Sequence, residues 1–195
     1  VLEALRSARV TVGEYCYTDV SRAFLQHAQR TFGPANPFLT YGILDIERPI
    51  IDQGLDLGGY DVVLAANVLH ATRDIRATVR NAKAALKPGG LLILNELTAN
   101  NLLSQFSFGL LDGWWRYEDR ELRIPGSPLL SPAGWRRVLA EAGFHAVTLP
   151  AADAEDLGQQ IIVAQSDGVI RQARVRPPEA VPEAKPVPIP VKEPV

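Results

Sequence analysis

Residues 60–74 read YDVVLAANVLHATRD. Tyr60 to Asn67 is a short run rich in valine, leucine and alanine, the pattern of a strand entering the core of a sheet. A helix is expected next, from about Thr72 to Leu86. It should stop at Lys87-Pro88-Gly89-Gly90, where proline and glycine end helices. GLLILNEL (90–97) then reads as another apolar strand. Strand, helix, strand in this order argues for an α/β fold with a parallel sheet.

The flanks agree with that reading. EYCYTDV (14–20) reads as a strand buried on both faces, and FLTYGILDI (38–46) as its successor. The helix between them, SRAFLQHAQRTFG, can be capped by Ser21 or Asp19 and stops at Gly33 and Pro34. Residues 1–9 look like the last turns of a helix, and ERPIIDQGLDLGG is a polar connection. Downstream, SPAGWRRVLAEAGF (131–144) carries Ser131 as cap, Pro132 at the first helical position and Gly143 as stop. AVTLPA (146–151) and QQIIVAQS (159–166) are expected to close the sheet as an antiparallel pair. Residues 100–128 hold adjacent tryptophans and several aromatic residues between glycine and proline breaks. They read as a lid helix and loop over the crevice. From about Arg171 the chain is rich in proline and charge, the composition of a semi-extended linker. The expected organisation is a core over 1–170 and an interdomain linker over 171–195, with a neighbouring domain beyond it.

Composition excludes several classes. The 195 residues are 47% hydrophobic with net charge −2, enough for one domain with a real core. No basic patch points to nucleic acid. No apolar run approaches the roughly 18 residues of a membrane span, and no signal peptide is evident. One cysteine, Cys16, excludes an internal disulfide framework and fits a reducing, cytoplasmic compartment. It reads as a small core residue. Three scattered histidines and one cysteine show no metal-ligand spacing. The chain starts with valine and has no methionine, so it reads as a piece of a longer protein.

In parallel α/β sheets ligands bind beyond the carboxyl ends of the strands. That rule selects Asp19, Asp45, Asn67 and Glu96, with His70 just past the third strand. Histidine titrates near neutrality, at about 6.5, and suits a general base. Glu96, on the next strand of the sheet, could accept a hydrogen bond from the other ring nitrogen. The residues alone leave open that His70 caps its helix, that Glu96 is a solvated acid, that Asp19 caps a helix and that Asp45 and Asn67 are turn residues. Trp114 and Trp115 point about 100° apart if helical, so at most one lines a ligand site. Phe106, Phe108 and Tyr117 are further lid candidates. Tyr15 and Tyr17 read as ordinary strand residues, and His27 and His145 have no evident partner.

Several of these segments together resemble the C-methyltransferase domains of modular polyketide synthases. They are YTDVSRAFL, LDIE, YDVVLAANVLHATRD, LKPGGLLILNE, FGLLDGWWRYED and SPAGWRRVLAEAGF. NNLLSQFSFGLLDGWW, RIPGSP and LGQQIIVAQSDGV are most similar to the bacterial trans-acyltransferase type. The resemblance covers about residues 1–170. LKPGG before a strand is shared by many methyltransferases, whereas ANVLHATRD with FGLLDGWWR is much narrower.

The resemblance implies the Rossmann-like sheet of class I methyltransferases, with a lid insertion and S-adenosyl-L-methionine as cofactor. It implies methylation of the α-carbon of a β-ketoacyl chain held by phosphopantetheine on an acyl carrier protein, beside other polyketide synthase domains. It assigns His70 and Glu96 as a catalytic dyad. Asp19 would bind the ribose hydroxyls, Asp45 the adenine amino group with the Ile46 backbone beside it, and Asn67 the methionine side. The family's GxGxG loop between first strand and first helix does not occur here. The domain therefore reads as N-terminally truncated, starting inside the helix after that loop, and is expected to be inactive alone. A degenerate, non-catalytic scaffold and an O-methyltransferase acting on a polyketide hydroxyl are the alternative readings.

Overall fold

A computed structural model describes residues 1–151 and 157–171. Almost all of the expected linker lies outside the described residues. Helix α1 (Leu2–Ser7) leads into β1 (Tyr15–Asp19), α2 (Arg22–Phe32) and β2 (Leu39–Ile43). Then come β3 (Tyr60–Ala66), α3 (Ile75–Ala84) and β4 (Leu86–Leu97). Helix α4 (Leu102–Ser107) opens the lid segment, and α5 (Pro132–Glu141), β5 (Phe144–Thr148) and β6 (Gln159–Ser166) complete the chain. Strands β1 and β2 form a parallel pair. The larger sheet has the order β3-β4-β6-β5. In it β3 runs parallel to β4, and β6 is antiparallel to both its neighbours, so the last two strands pair as expected.

The caps are those read from the sequence. The Ser21 hydroxyl accepts from the Phe24 amide, and the Ser131 hydroxyl accepts from the Gly134 amide with Pro132 at the first position. Between α3 and β4 the structure departs from expectation. Helix α3 starts at Ile75, because the Asp74 side chain accepts from the Ala77 amide and sets the cap there. Thr72 is drawn away instead: its hydroxyl donates to the Leu69 carbonyl at 2.7 Å. Lys87-Pro88-Gly89-Gly90 does not separate helix from strand but lies inside β4 as a bulge. The register jumps there from Tyr60↔Leu86 to Val62↔Leu91. Gly89 takes φ 76, and a Cβ at Gly90 would sit 3.0 Å from the Lys87 carbonyl oxygen and 3.1 Å from that of Asp61. Glycine is favoured at both positions for these reasons.

β1 is a second correction. All five of its residues are half-buried, because among the described residues the strand pairs with β2 alone. Cys16 is likewise half-buried. Burial first, then the neighbouring Cys16, pushes the Tyr60 hydroxyl up to about 12.

The core lies between the larger sheet and helices α3 and α5. Leu92, Leu94, Trp135, Leu139, Ile75, Val79 and Ile162 are fully buried there, each side chain contributing roughly 1.5–3 kcal/mol. A smaller cluster forms around Ile50, Ala84 and Ala85, and Ile46 packs against both. This packing holds the carboxyl ends of β3 and β4 in place.

Candidate active site

Along β4 every second side chain enters the core, and the series Leu92, Leu94 ends at Glu96, which is fully buried. A carboxylate on the core face is costly unless hydrogen-bonded. The end of β3 provides its partners. Ala66 pairs with Asn95, and the Asn67 amide donates to the Asn95 carbonyl at 2.8 Å. The backbone then turns away at Asn67, φ 52, a left-handed conformation that asparagine tolerates. Its side-chain Oδ1 accepts from the Leu97 amide at 3.1 Å and continues the ladder in place of backbone.

This turn lays residues 68–70 over Glu96. Oε1 accepts from the Val68 amide at 3.2 Å and the Leu69 amide at 3.0 Å. Oε2 is hydrogen-bonded to His70 Nδ1. Facing an anionic acceptor, Nδ1 donates, and the lone pair of the neutral ring is on Nε2. His70 is 4% exposed and borders a cavity of about 190 Å³ lined also by Asn67, Ala71, Leu97, Phe108 and Trp114. Trp114 stands edge-on to the imidazole, 6.0 Å between ring centres, and Phe108 stacks on Trp114 at 5.9 Å. The arrangement is an oriented imidazole beside an apolar cavity.

One tryptophan of the pair faces inward, as expected. Trp114 is buried, while Trp115 is half-exposed and donates to the Gly109 carbonyl at 2.9 Å. They lie on a 3₁₀ turn, Asp112–Trp115. Phe106 is exposed, and Tyr117 stacks against Arg123, so neither lines the cavity.

The remaining candidates cluster elsewhere. Asp19 Oδ1 accepts from the Ser21 amide at 2.7 Å, and the Asp19 carbonyl accepts from the Leu44 amide at 3.2 Å. Asp45 Oδ1 accepts from the Glu47 amide at 3.0 Å. Each carboxylate thus uses one oxygen to shape its turn, and Oδ2 has no partner among the described residues. The Ile46 carbonyl accepts from Asn81 at 2.7 Å. The structure therefore brings His70, Glu96 and Asn67 together, with His70 and Asn67 lining one cavity and Glu96 buried behind His70. It places Asp19, Asp45 and Ile46 at the ends of the parallel β1–β2 pair, away from that cavity's lining.

Two functional supports were missed in the sequence. The Gln53 side chain donates to the Asp45 carbonyl and accepts from its amide, both at 2.8 Å, fixing the β2 terminus; a lone glutamine in a polar loop carries no signal of this. Arg123 is buried against Asp119, and only the i,i+4 spacing of the two hinted at a pair.

An α/β domain with acids at strand ends and a buried histidine–carboxylate pair at the sheet's carboxyl edge is the class of protein defined here. Residues 1–92 match a family described as methyltransferase domain. The chain is 53% identical over 174 residues to polyketide synthase PksR of Bacillus subtilis (strain 168), covering 89% of this chain and 7% of that protein. It superposes on the crystal structure of DszA carbon methyltransferase with TM-score 0.79 and 43% identity, over 87% of this chain and 44% of that one. It superposes on trans-methyltransferase CalH in complex with SAH with TM-score 0.68 and 37% identity, over 78% of this chain and 42% of that one. The chain thus spans less than half of each of these relatives. It is homologous to the methyltransferase domains of polyketide synthases and has the class I methyltransferase fold. The resemblance read from the motifs is borne out.

Proposed function

We propose that this domain methylates the α-carbon of a β-ketoacyl chain carried on an acyl carrier protein, using S-adenosyl-L-methionine. The observation that carries the reading is the buried His70–Glu96 pair opening on an apolar cavity. A carbon flanked by two carbonyls is acidic enough for a neutral imidazole to deprotonate when the pair is held in contact. His70 Nε2 takes that proton. Glu96, hydrogen-bonded at Nδ1, keeps the tautomer and stabilises the imidazolium as it forms. Trp114 and Phe108 give the cavity an apolar wall beside the base.

The cofactor fits the donor set at the strand ends. Asp19 and Asp45 each keep a carboxylate oxygen with no partner among the described residues, suited to ribose hydroxyls and to an adenine amino group respectively. The Ile46 backbone lies beside Asp45, and Asn67 borders the cavity. When bound, the sulfonium supplies an electrophilic methyl group. The SAH bound to CalH supports this assignment. In this reading residues 1–170 are the catalytic core and 171–195 a linker to further domains of a cytoplasmic polyketide synthase.

The test is to supply ¹³C-methyl-labelled cofactor to the full-length protein with a β-ketoacyl carrier protein, and to read the product by NMR. A methyl carbon bonded to carbon supports the reading. A methyl bonded to oxygen would replace it with O-methylation, and cofactor binding without transfer would point to a scaffold.

A further inference from the structure

The backbone of the turn bearing His70 poses a problem of hydrogen-bond supply. Its amide groups at Val68 and Leu69 go to Glu96. The carbonyls of His70, Thr72 and Arg73 leave a single 3₁₀ turn, Leu69–Ala71, before α3 begins at Ile75. They gain no partner from the helix, and the buried residues His70 and Thr72 need one for theirs. All three are met by residues 118–123. Arg123 Nη1 donates to the His70 carbonyl at 2.9 Å, and Nη2 to that of Thr72 at 3.0 Å. The Glu118 amide donates to the Arg73 carbonyl at 2.9 Å.

Arg123 is fully committed. Nη1 also donates to the Pro128 carbonyl at 2.6 Å. Nε and Nη2 donate to the Asp119 carboxylate at 2.6 and 3.1 Å. These bonds employ the five N–H groups of a guanidinium. Asp119 Oδ2 in turn accepts from the Ile75 amide at 2.7 Å, the first residue of α3. The two side chains are 1% and 9% exposed. A buried ion pair adds little net stability over an apolar pair of the same size. What the planar fork supplies is direction, which a lysine ammonium cannot.

We propose that Arg123, oriented by Asp119, is a positioning residue for the His70 base. Glu96 holds the turn by its amide groups and the ring by Nδ1; Arg123 holds the same turn by its carbonyls. The lid segment bearing Phe108 and Trp114 leaves β4 just after Glu96 and returns at Asp119–Arg123. The cavity wall is therefore anchored to both members of the dyad, and imidazole and wall keep a fixed separation. A displacement of the base by about 1 Å costs on the order of 10²-fold in rate. The inference rests on reading His70 as the base.

The test compares Arg123→Lys with the wild type in the full-length protein, with Arg137→Ala as control. Arg137 pairs with Glu141 on the exposed face of α5, so its loss perturbs the surface alone. Three quantities are read: the kcat and KM for methylation of a β-ketoacyl carrier protein, the thermal midpoint, and the downfield ¹H NMR signal of the His70 Nδ1 proton. Arg123→Lys is expected to lower kcat about 10- to 100-fold, with KM within about threefold. The His70 proton signal should shift or broaden at temperatures where the variant is fully folded. Arg137→Ala should leave kcat and that signal unchanged. A folded Arg123→Lys protein with wild-type kcat and an unmoved His70 signal overturns the proposal, as does a loss that only tracks the unfolded fraction. If the wild type transfers no methyl, the functional reading fails, and the NMR arm alone still decides whether Arg123 orients His70.

Discussion

Replacing Glu96 by glutamine separates the role of the carboxylate in catalysis from its role in the fold. Oε1 serves two backbone amide groups and Oε2 serves His70. The amide can keep its oxygen on the Val68 and Leu69 amides, which places its NH₂ against His70 Nδ1. The reverse orientation sets donor against donor twice, so the first prevails. Nδ1 must then accept, and the ring proton moves to Nε2, the atom proposed as the base. One charge-assisted hydrogen bond, worth about 1.5–3 kcal/mol, is exchanged for an amide–imidazole bond, so stability should fall by only about 1 kcal/mol. The rate should fall about 10³- to 10⁴-fold, as when a histidine is held in the wrong tautomer; this is about 4–5.5 kcal/mol of barrier. Single-turnover methylation gives the rate, and urea unfolding with isothermal titration of the cofactor gives stability and affinity. A Glu96→Gln protein that retains more than a tenth of the wild-type rate, or loses rate only because it unfolds, would refute the tautomer argument.

Three further perturbations probe other parts of the account. Asp19→Asn can keep its bond to the Ser21 amide but loses an anionic acceptor, so cofactor affinity should drop about 10-fold or more with the thermal midpoint nearly unmoved; unchanged affinity by titration calorimetry would remove Asp19 from the site. Asp167 is pushed up by burial, but Lys83, the Val169 amide and Arg171 outweigh this and hold it at about 2. An unfolded aspartate titrates near 3.9, so the stabilisation is complete above about pH 4 and is lost as pH falls towards 2; Asp167→Asn should cost on the order of 1 kcal/mol at pH 7, a gap that urea midpoints should show narrowing below pH 4 rather than widening. Gly90→Ala drives a Cβ onto two backbone oxygens and should cost about 1–3 kcal/mol, measured by denaturant midpoint; a neutral effect would mean that the bulge in β4 yields easily.

Local chemistry made much of this architecture legible. Ser21 and Ser131 cap helices because a short hydroxyl before an apolar period satisfies free amide groups, and nothing distant interferes. The strand-end rule found His70, Glu96 and Asn67 because topology alone brings the ends of parallel neighbours together. What escaped depends on partners far along the chain. Lys87-Pro88-Gly89-Gly90 reads the same locally whether it divides two elements or bulges within one, and only pairing with Tyr60 and Val62 decides. β1 looks like a strand buried on both faces, yet its burial depends on which strands flank it. Helix α3 starts three residues late because Leu69 and Thr78 engage the Thr72 side chain. Arg123 resembles the exposed arginines beside it until the unpaired carbonyls of the His70 turn are in view.

The central claim is that His70 removes a proton from carbon so that carbon is methylated. The most direct measurement loads a β-ketoacyl group on its carrier protein, adds S-adenosyl-L-methionine and the full-length protein, and follows the acyl mass beside His70→Ala. The account predicts a gain of one methyl that hydrolysis does not release as methanol, abolished in His70→Ala although that variant still binds cofactor. A gain that survives His70→Ala, or a methyl released as methanol, would contradict it.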